Sequence, residues 1–233
     1  MRHLLQINGL DGPLLNQFGC ECNRCRAPER RANTSASLIT LDDQGQTVHH
    51  LLFDAGLGVV DNLNNSPYLQ GPAARLDGIA LTHWHPDHVA ELNRLCVSHY
   101  NIRKRRGRET ERVPLYCRSG TAAHLARENG HVLQTYLKQY LPHECEPPGT
   151  ILSPLPLNLA GVTVTPVSIS HYTADLAPDN SLETSYCCAS FVIEVANSKA
   201  ALLWDIDSEN EWLVRPRTAA QEQAVALLSD ADL

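Results

Sequence analysis

Apolar residues in this chain fall into short runs bounded by turn-forming residues, and the runs repeat with two different periods. Residues 4–7, 35–41, 48–53, 76–81 and 113–117 are apolar or alternating over strand lengths, as are 162–169, 188–195 and 200–204, which predicts half-buried or buried β-strands. The stretch 152–159 reads as β-rich too. Asp42, Asp43, Gln44 and Gly45 predict a hairpin turn between the second and third strands, and Asn197 and Ser198 predict one near the C-terminal end. Helical spacing appears after Pro86, through Val89, Leu92, Leu95 and Cys96, and over 119–126 with Ser119 as its cap. It returns over 219–228, and residues 229–233 read as the approach to another strand. Residues 59–75 predict a loop with short helical pieces. The sum is an α/β chain with no internal repeat and no low-complexity linker, which predicts a single domain over 1–233.

Strand ends are where the chemistry gathers. The strand 76–81 runs into Thr-His-Trp-His-Pro-Asp-His-Val, which supplies His83, His85, Asp87 and His88 within six residues. His83 and His85 are two apart, so in extended backbone both imidazoles face the same side and can share one cation. Pro86 suits the first position of a helix, which puts Asp87 and His88 in its opening turn, directed back toward the same place. An isolated histidine is ordinarily a core or surface residue, but four ligand-type side chains so close after a strand predict metal binding at two neighbouring centres. Nitrogen and carboxylate donors favour zinc, with manganese or iron as alternatives. Other strand ends deliver Asp54, in Phe-Asp-Ala-Gly, then His171, then Asp205 and Asp207. His124 and His131 read as surface residues.

Composition narrows the setting. With 233 residues, 43% of them hydrophobic, the chain can bury one large core. No apolar stretch reaches the roughly 20 residues that span a bilayer, and the first residues lack the apolar core of a signal peptide, so a cytoplasmic protein is expected. The formal net charge of −7 gives no general attraction to nucleic acid or to anionic membrane. Arg103, Lys104, Arg105, Arg106, Arg108 and Arg112 form a local basic run broken by Glu109 and Glu111. Without aromatic residues between the arginines for base stacking, it reads as a solvated loop bordering a site for a small anionic substrate. A homodimer stays open. Of the eight cysteines, Cys20, Cys22 and Cys25 lie too close together to pair well. Their C-x-C-x₂-C spacing in the 19–26 loop suits a structural zinc that needs one further ligand, against the alternative of three separate free thiols. Cys96, Cys117, Cys145, Cys187 and Cys188 read as small buried residues.

The order of these motifs resembles the metallo-β-lactamase superfamily: Asp54, then the His83 cluster, then His171, then Asp205. The cysteine string ahead of Ser-Ala-Ser-Leu further resembles the branch that holds the phosphonate-pathway phosphodiesterase and PqqB-type proteins. That resemblance implies a four-layer αβ/βα sandwich with a dinuclear site along one edge. It implies that His83, His85 and His171 hold one metal, that Asp87 and His88 hold a second, and that Asp205 bridges them, with Asp207 in reserve. Asp54 would steady the site through hydrogen bonds, and Asp87 would orient the nucleophile. Two zinc ions, or manganese or iron, and one structural zinc are implied, in a hydrolase acting on a phosphodiester or cyclic phosphate.

The chain also departs from the pattern. The superfamily ordinarily supplies another histidine after a late strand, and none follows His171. The expectation is therefore that the C-terminal part is incomplete and that ligands for the second metal and for the cysteine site lie beyond Leu233. The alternatives are a non-hydrolytic metal-binding protein of PqqB-like type involved in cofactor handling, or a hydrolase of another ester, lactone or thioester.

Overall fold

The computed structural model describes residues 1–27, 31–108, 111–141, 146–171, 174–176 and 185–233. Glu109 and Cys145 lie outside them. In chain order the elements are β1 (Arg2–Gly9), α1 (Asn23–Arg26), β2 (Ser35–Leu41), β3 (Thr47–Phe53), α2 (Val59–Asn65), β4 (Gly78–Ala80), α3 (Pro86–Val89), α4 (Leu92–Arg105) and β5 (Val113–Tyr116). They continue with α5 (Ser119–Glu128), α6 (Gly130–Thr135), β6 (Leu137–Tyr140), β7 (Val162–Ile169), β8 (Cys188–Val195), β9 (Ser198–Leu202) and α7 (Ala219–Leu228), with 3₁₀ turns at Gly71–Ala73 and Ser208–Leu213. This is the expected mixed α/β class. Among the described residues no helix is long and apolar enough to cross a membrane.

Six strands form one sheet in the order β1-β2-β3-β4-β5-β6, and three form another in the order β7-β8-β9. By its internal contacts the chain divides into two compact units, one of residues 1–81, 85–115 and 129–138, the other of residues 82–84, 116–128 and 139–233. In the first unit β2 lies between β1 and β3 with antiparallel pairing on both sides, and all seven of its residues are buried. Buried throughout, 35–41 keeps no solvent side: its apolar residues join the core, and the hydroxyls of Ser35, Ser37 and Thr40 are hydrogen-bonded to Asn8, His50 and His3. The hairpin turn forms as expected: Asp42 Oδ1 accepts from the backbone of Gln44 and Gln46, and Gly45 takes φ +78°. β4 then runs parallel to β3, so the ends of both strands arrive together with Asp54 and the histidine string. In the second unit Val167, Ile169, Cys187, Cys188 and Val192 pack with Trp212, Ala224 and Leu228.

Several expectations need correction. The helix from Pro86 is two helices, because Ala55 intervenes: the Glu91 N–H donates to the Ala55 carbonyl and the Ala55 N–H to the His88 carbonyl. The second helix extends through Arg105, so Arg103, Lys104 and Arg105 form its last turn and not a loop. Cations there complement the helix's carbonyl end. Ser119 lies inside α5, and the Arg118 carbonyl receives the first intrahelical bond, from Ala122 N–H. The stretch 152–159 is extended without being a strand; Pro154 and Pro156 cannot donate, and only Leu152 and Leu155 reach the Pro166 and Val164 carbonyls. The last hairpin turns one residue early, at Ala196 and Asn197, with Ala196 at φ +51°. α2, α6 and β6 carry more regular structure than their sequence suggests. Beyond α7, the Ala201 N–H donates to the Leu233 carbonyl and the Asp232 N–H to that of Lys199, which pairs 232–233 against β9.

Candidate metal centre

In the first unit β3 ends at Asp54, which is fully buried and held at φ +57°, a left-handed conformation that aspartate tolerates better than most residues. Its backbone is pinned by the Ala80 carbonyl on one side and the Ser35 hydroxyl on the other. Its Oδ2 lies 2.7 Å from Nδ1 of His88. A carboxylate can only accept, so Nδ1 carries the proton and the lone pair of His88 is on Nε2. Nε2 lies 3.4 Å from Asp87 Oδ2. Gly56 makes this approach possible: a Cβ there would stand 1.8 Å from the Asp87 carbonyl oxygen. Phe-Asp-Ala-Gly is thus a strand end whose last residues press against α3. His85 precedes Pro86 as the helix's N-cap position, and its carbonyl accepts from the His88 N–H.

In the second unit His83 is buried, with the Thr82 hydroxyl 3.1 Å from its Nδ1 and Asp205 Oδ2 at 3.6 Å from its Nε2. The rings of His83 and His171 meet edge-on with centroids 5.2 Å apart. His171 Nδ1 lies 3.5 Å from Asp207 Oδ2. Asp205 sits at φ +51°, in the turn that follows β9. Asp207 begins the Ser208–Leu213 turn and uses its other oxygen to accept from the Glu209 N–H.

The separations distinguish two kinds of contact. Asp54 to His88, at 2.7 Å, is a hydrogen bond. The pairs His88–Asp87, His83–Asp205 and His171–Asp207 stand at 3.4, 3.6 and 3.5 Å, beyond a good hydrogen bond. Two ligands of a tetrahedral zinc, each about 2.0–2.1 Å from the ion, stand about 3.4 Å apart. Nitrogen and carboxylate oxygen donors at that spacing fit a divalent cation in both units.

The cysteine loop also gathers. The sulfurs of Cys20, Cys22 and Cys25 all lie within 4.8 Å of one another, and Cys22 caps α1 by accepting from the Cys25 N–H. That backbone donor, with the neighbouring thiols, pulls the Cys22 thiol down to about 7, toward the thiolate that a metal requires. Cys96, Cys117, Cys187 and Cys188 are buried as expected, and burial pushes Cys96 and Cys117 up to about 12.

His131 is exposed, but His124 is not a surface residue. It is half-buried and stacks on Trp84 with ring centroids 4.0 Å apart, while its Nε2 meets the Leu176 carbonyl. Arg118 is buried and donates to Ser168 and to the carbonyls of Cys188 and Glu146. Nothing in the sequence around Arg118 separates it from a surface arginine.

A family model described as the beta-lactamase superfamily domain matches residues 49–211, more than half of the chain. The chain belongs to that superfamily. The match runs from β3 to the turn after Asp207, so it contains every candidate ligand except the cysteines. Among solved structures, the superfamily fold recurs in PqqB from Methylobacterium extorquens in its zinc-bound form, at 17% identity, TM-score 0.57, over 86% of this chain and 64% of that one. A diphosphatase of the PhnP family gives 18% identity, TM-score 0.55, over 85% and 64%. YhfI from Bacillus subtilis, described as a metallo-β-lactamase fold protein, gives 16% identity, TM-score 0.53, over 85% and 61%. The chain therefore spans 61–64% of the length of these superfamily structures, and at such identities the likeness carries the fold alone. Among curated proteins no sequence matches it.

Proposed function

We propose that this chain is the metal-dependent hydrolytic part of a superfamily member acting on a phosphodiester or cyclic phosphate. His83, His85 and His171 would hold one divalent cation, Asp87 and His88 a second, and Asp205 would bridge the two. Cys20, Cys22 and Cys25 would hold a structural zinc. The observation that carries the reading is the contrast on His88: one ring nitrogen hydrogen-bonds a buried carboxylate at 2.7 Å, and the other faces a carboxylate at 3.4 Å, the spacing of two ligands around one ion. When bound, divalent cations supply Lewis acidity that acidifies water toward a pKa of about 7 and neutralises charge on phosphoryl oxygens.

The chain's own residues do the rest. Asp54 holds His88 in one tautomer and one orientation, so its Nε2 lone pair needs no reorganisation on binding. Thr82 holds the orientation of the His83 ring through Nδ1, and as a hydroxyl it can meet either tautomer there. Asp87 would accept a hydrogen bond from the attacking water and so orient it. Preference for a phosphate ester over other esters rests on the cysteine string. The PhnP-family neighbour, a diphosphatase by its description, has the same fold.

The test is metal content together with turnover of an aryl phosphodiester. The protein, extended at its C-terminus by any further coding sequence, is expected to carry about three zinc-type ions. Asp87→Ala is expected to cut turnover by about 10²–10⁴ while the protein stays folded. Unchanged turnover removes Asp87 from the chemistry, and one ion or fewer after purification refutes the dinuclear site.

A further inference from the structure

Between His171 and β8 the second unit contains a buried acid that the proposed chemistry does not use. Asp175 is 4% exposed, and its two carboxylate oxygens accept three hydrogen bonds. Oδ2 takes the Ser170 hydroxyl at 2.8 Å and the His171 backbone N–H at 3.0 Å. Oδ1 takes the Cys187 backbone N–H at 3.0 Å, one residue before β8 begins. The backbone closes the same turn, with the His171 carbonyl accepting from the N–H groups of Ala174 and Asp175. One carboxylate thus ties the residue before His171, His171 itself and the entry to the neighbouring strand into a single network.

Two further contacts join that turn to the histidine string. The Ala174 carbonyl accepts from the Trp84 indole N–H at 2.8 Å and from the Cys187 thiol. Trp84 stands between His83 and His85 in sequence, and its ring is stacked on His124, which reaches the Leu176 carbonyl. Residues 174–176 therefore face His171 on one side and the string on the other.

We propose that Asp175 is the positioning residue of His171: it fixes the backbone from which that imidazole meets His83, and so sets the geometry of the first metal. The inference rests on the reading of His171 as a ligand. Alternative uses of the acid fit less well. Asp175, Cys187 and Cys188 could be taken as ligands of an ion of their own, but three donors already occupy the carboxylate and the Cys187 thiol donates to a carbonyl. A ligand set needs its acceptors turned toward the ion, and here they are spent on the protein's own backbone.

Asp175→Asn keeps the shape but presents an amide N–H₂ to at least one of three donors, so the network cannot be satisfied. The measurement is zinc affinity by competition with a chromophoric chelator, with the visible spectrum of the cobalt-substituted protein as a second readout. Asp175→Asn is expected to weaken the site about 10–100-fold, the usual effect of losing an outer-sphere partner, and to shift the cobalt bands. Ser170→Ala removes one donor, leaves the two backbone bonds, and is expected to weaken the site a few-fold in a protein that folds normally. Wild-type affinity and an unshifted spectrum in Ser170→Ala, together with wild-type affinity in any folded Asp175→Asn, overturn the positioning role. His171→Ala separates this from the underlying reading: if its affinity equals that of the wild type, His171 is no ligand and the reading beneath fails, whatever Asp175 does.

Discussion

Each of the two units presents carboxylate beside imidazole, in contrasting settings. In the first unit Asp54 and His88 are 0% and 2% exposed at their side chains and bond at 2.7 Å. In the second, His171 and Asp207 are 25% and 28% exposed and stand 3.5 Å apart, with Asp205 at 32%. The same pair of residue types therefore does two jobs. Buried and bonded, it sets a tautomer and braces the fold. More exposed and set farther apart, it stands at the spacing of two ligands around one ion. The distance between the atoms distinguishes the two jobs.

The largest effect should follow from breaking the closed pair. Asp54→Ala leaves His88 Nδ1 buried without its carboxylate and places alanine at a positive φ, and it is expected to cost about 3–5 kcal/mol by denaturant unfolding. Asp54→Asn, which tolerates that backbone, should lose less. If both variants unfold like the wild type, the brace is imaginary and the two settings are equivalent.

Acid should act on the first unit next. His50 is 2% exposed in β3, its ring nitrogens engaged by the Arg75 carbonyl and the Ser37 hydroxyl, and burial pushes it down to about 4. His99 is pushed to about 4 as well, by burial and then by Arg103. A histidine whose folded pKa is lowered binds fewer protons folded than unfolded, so its stabilising share is intact above about 6.5 and is lost as pH falls toward 4. For His50 the loss reaches about 3 kcal/mol across that window. Unfolding free energies at pH 7 and pH 4.5 check this, and His50→Gln should flatten the slope. An equal slope in the variant would show that the acid sensitivity lies elsewhere.

How far the sequence discloses such a contrast depends on how local the cause is. The string from His83 to His88 is legible because ligand, proline and strand end are adjacent, and Asp54 because it closes an apolar strand just ahead of a glycine turn. His171 and Asp205 have no local mark and emerge only from motif order. Asp175 is silent in the sequence, since an aspartate four residues after a histidine is ordinary until the fold brings Cys187 to its other oxygen. The elements divide likewise. β2 and β7 form where their apolar runs lie, whereas the break between α3 and α4 is made by Ala55, more than 30 residues earlier, and no periodicity within the helix foretells it. Arg118 shows the limit most sharply, because its partners at Glu146, Ser168 and Cys188 are all distant in sequence.

The smallest expected effect separates the two acids of the second unit, Asp205 and Asp207. Asp207 does local work through Oδ1, accepting the Glu209 N–H at 3.0 Å at the start of the Ser208–Leu213 turn, and only its Oδ2 faces His171. Removing such a cap ordinarily costs about 0.5–2 kcal/mol, so Asp207→Ala should lose about 1 kcal/mol in the absence of metal. Asp205 stands at φ +51°, which asparagine accepts, and Asp205→Asn keeps both the shape and the backbone, so it should lose less than Asp207→Ala without metal. With zinc present the order should invert. If Asp205 bridges, Asp205→Asn forfeits a shared anionic ligand and the stabilisation that zinc adds to the folded state should shrink, whereas Asp207→Ala should keep most of it. Thermal unfolding of both variants with and without zinc reads this directly. Should Asp207→Ala be the variant that loses the zinc-dependent shift, the bridge belongs to Asp207 and the carboxylate beside His171 is the one that holds the ion.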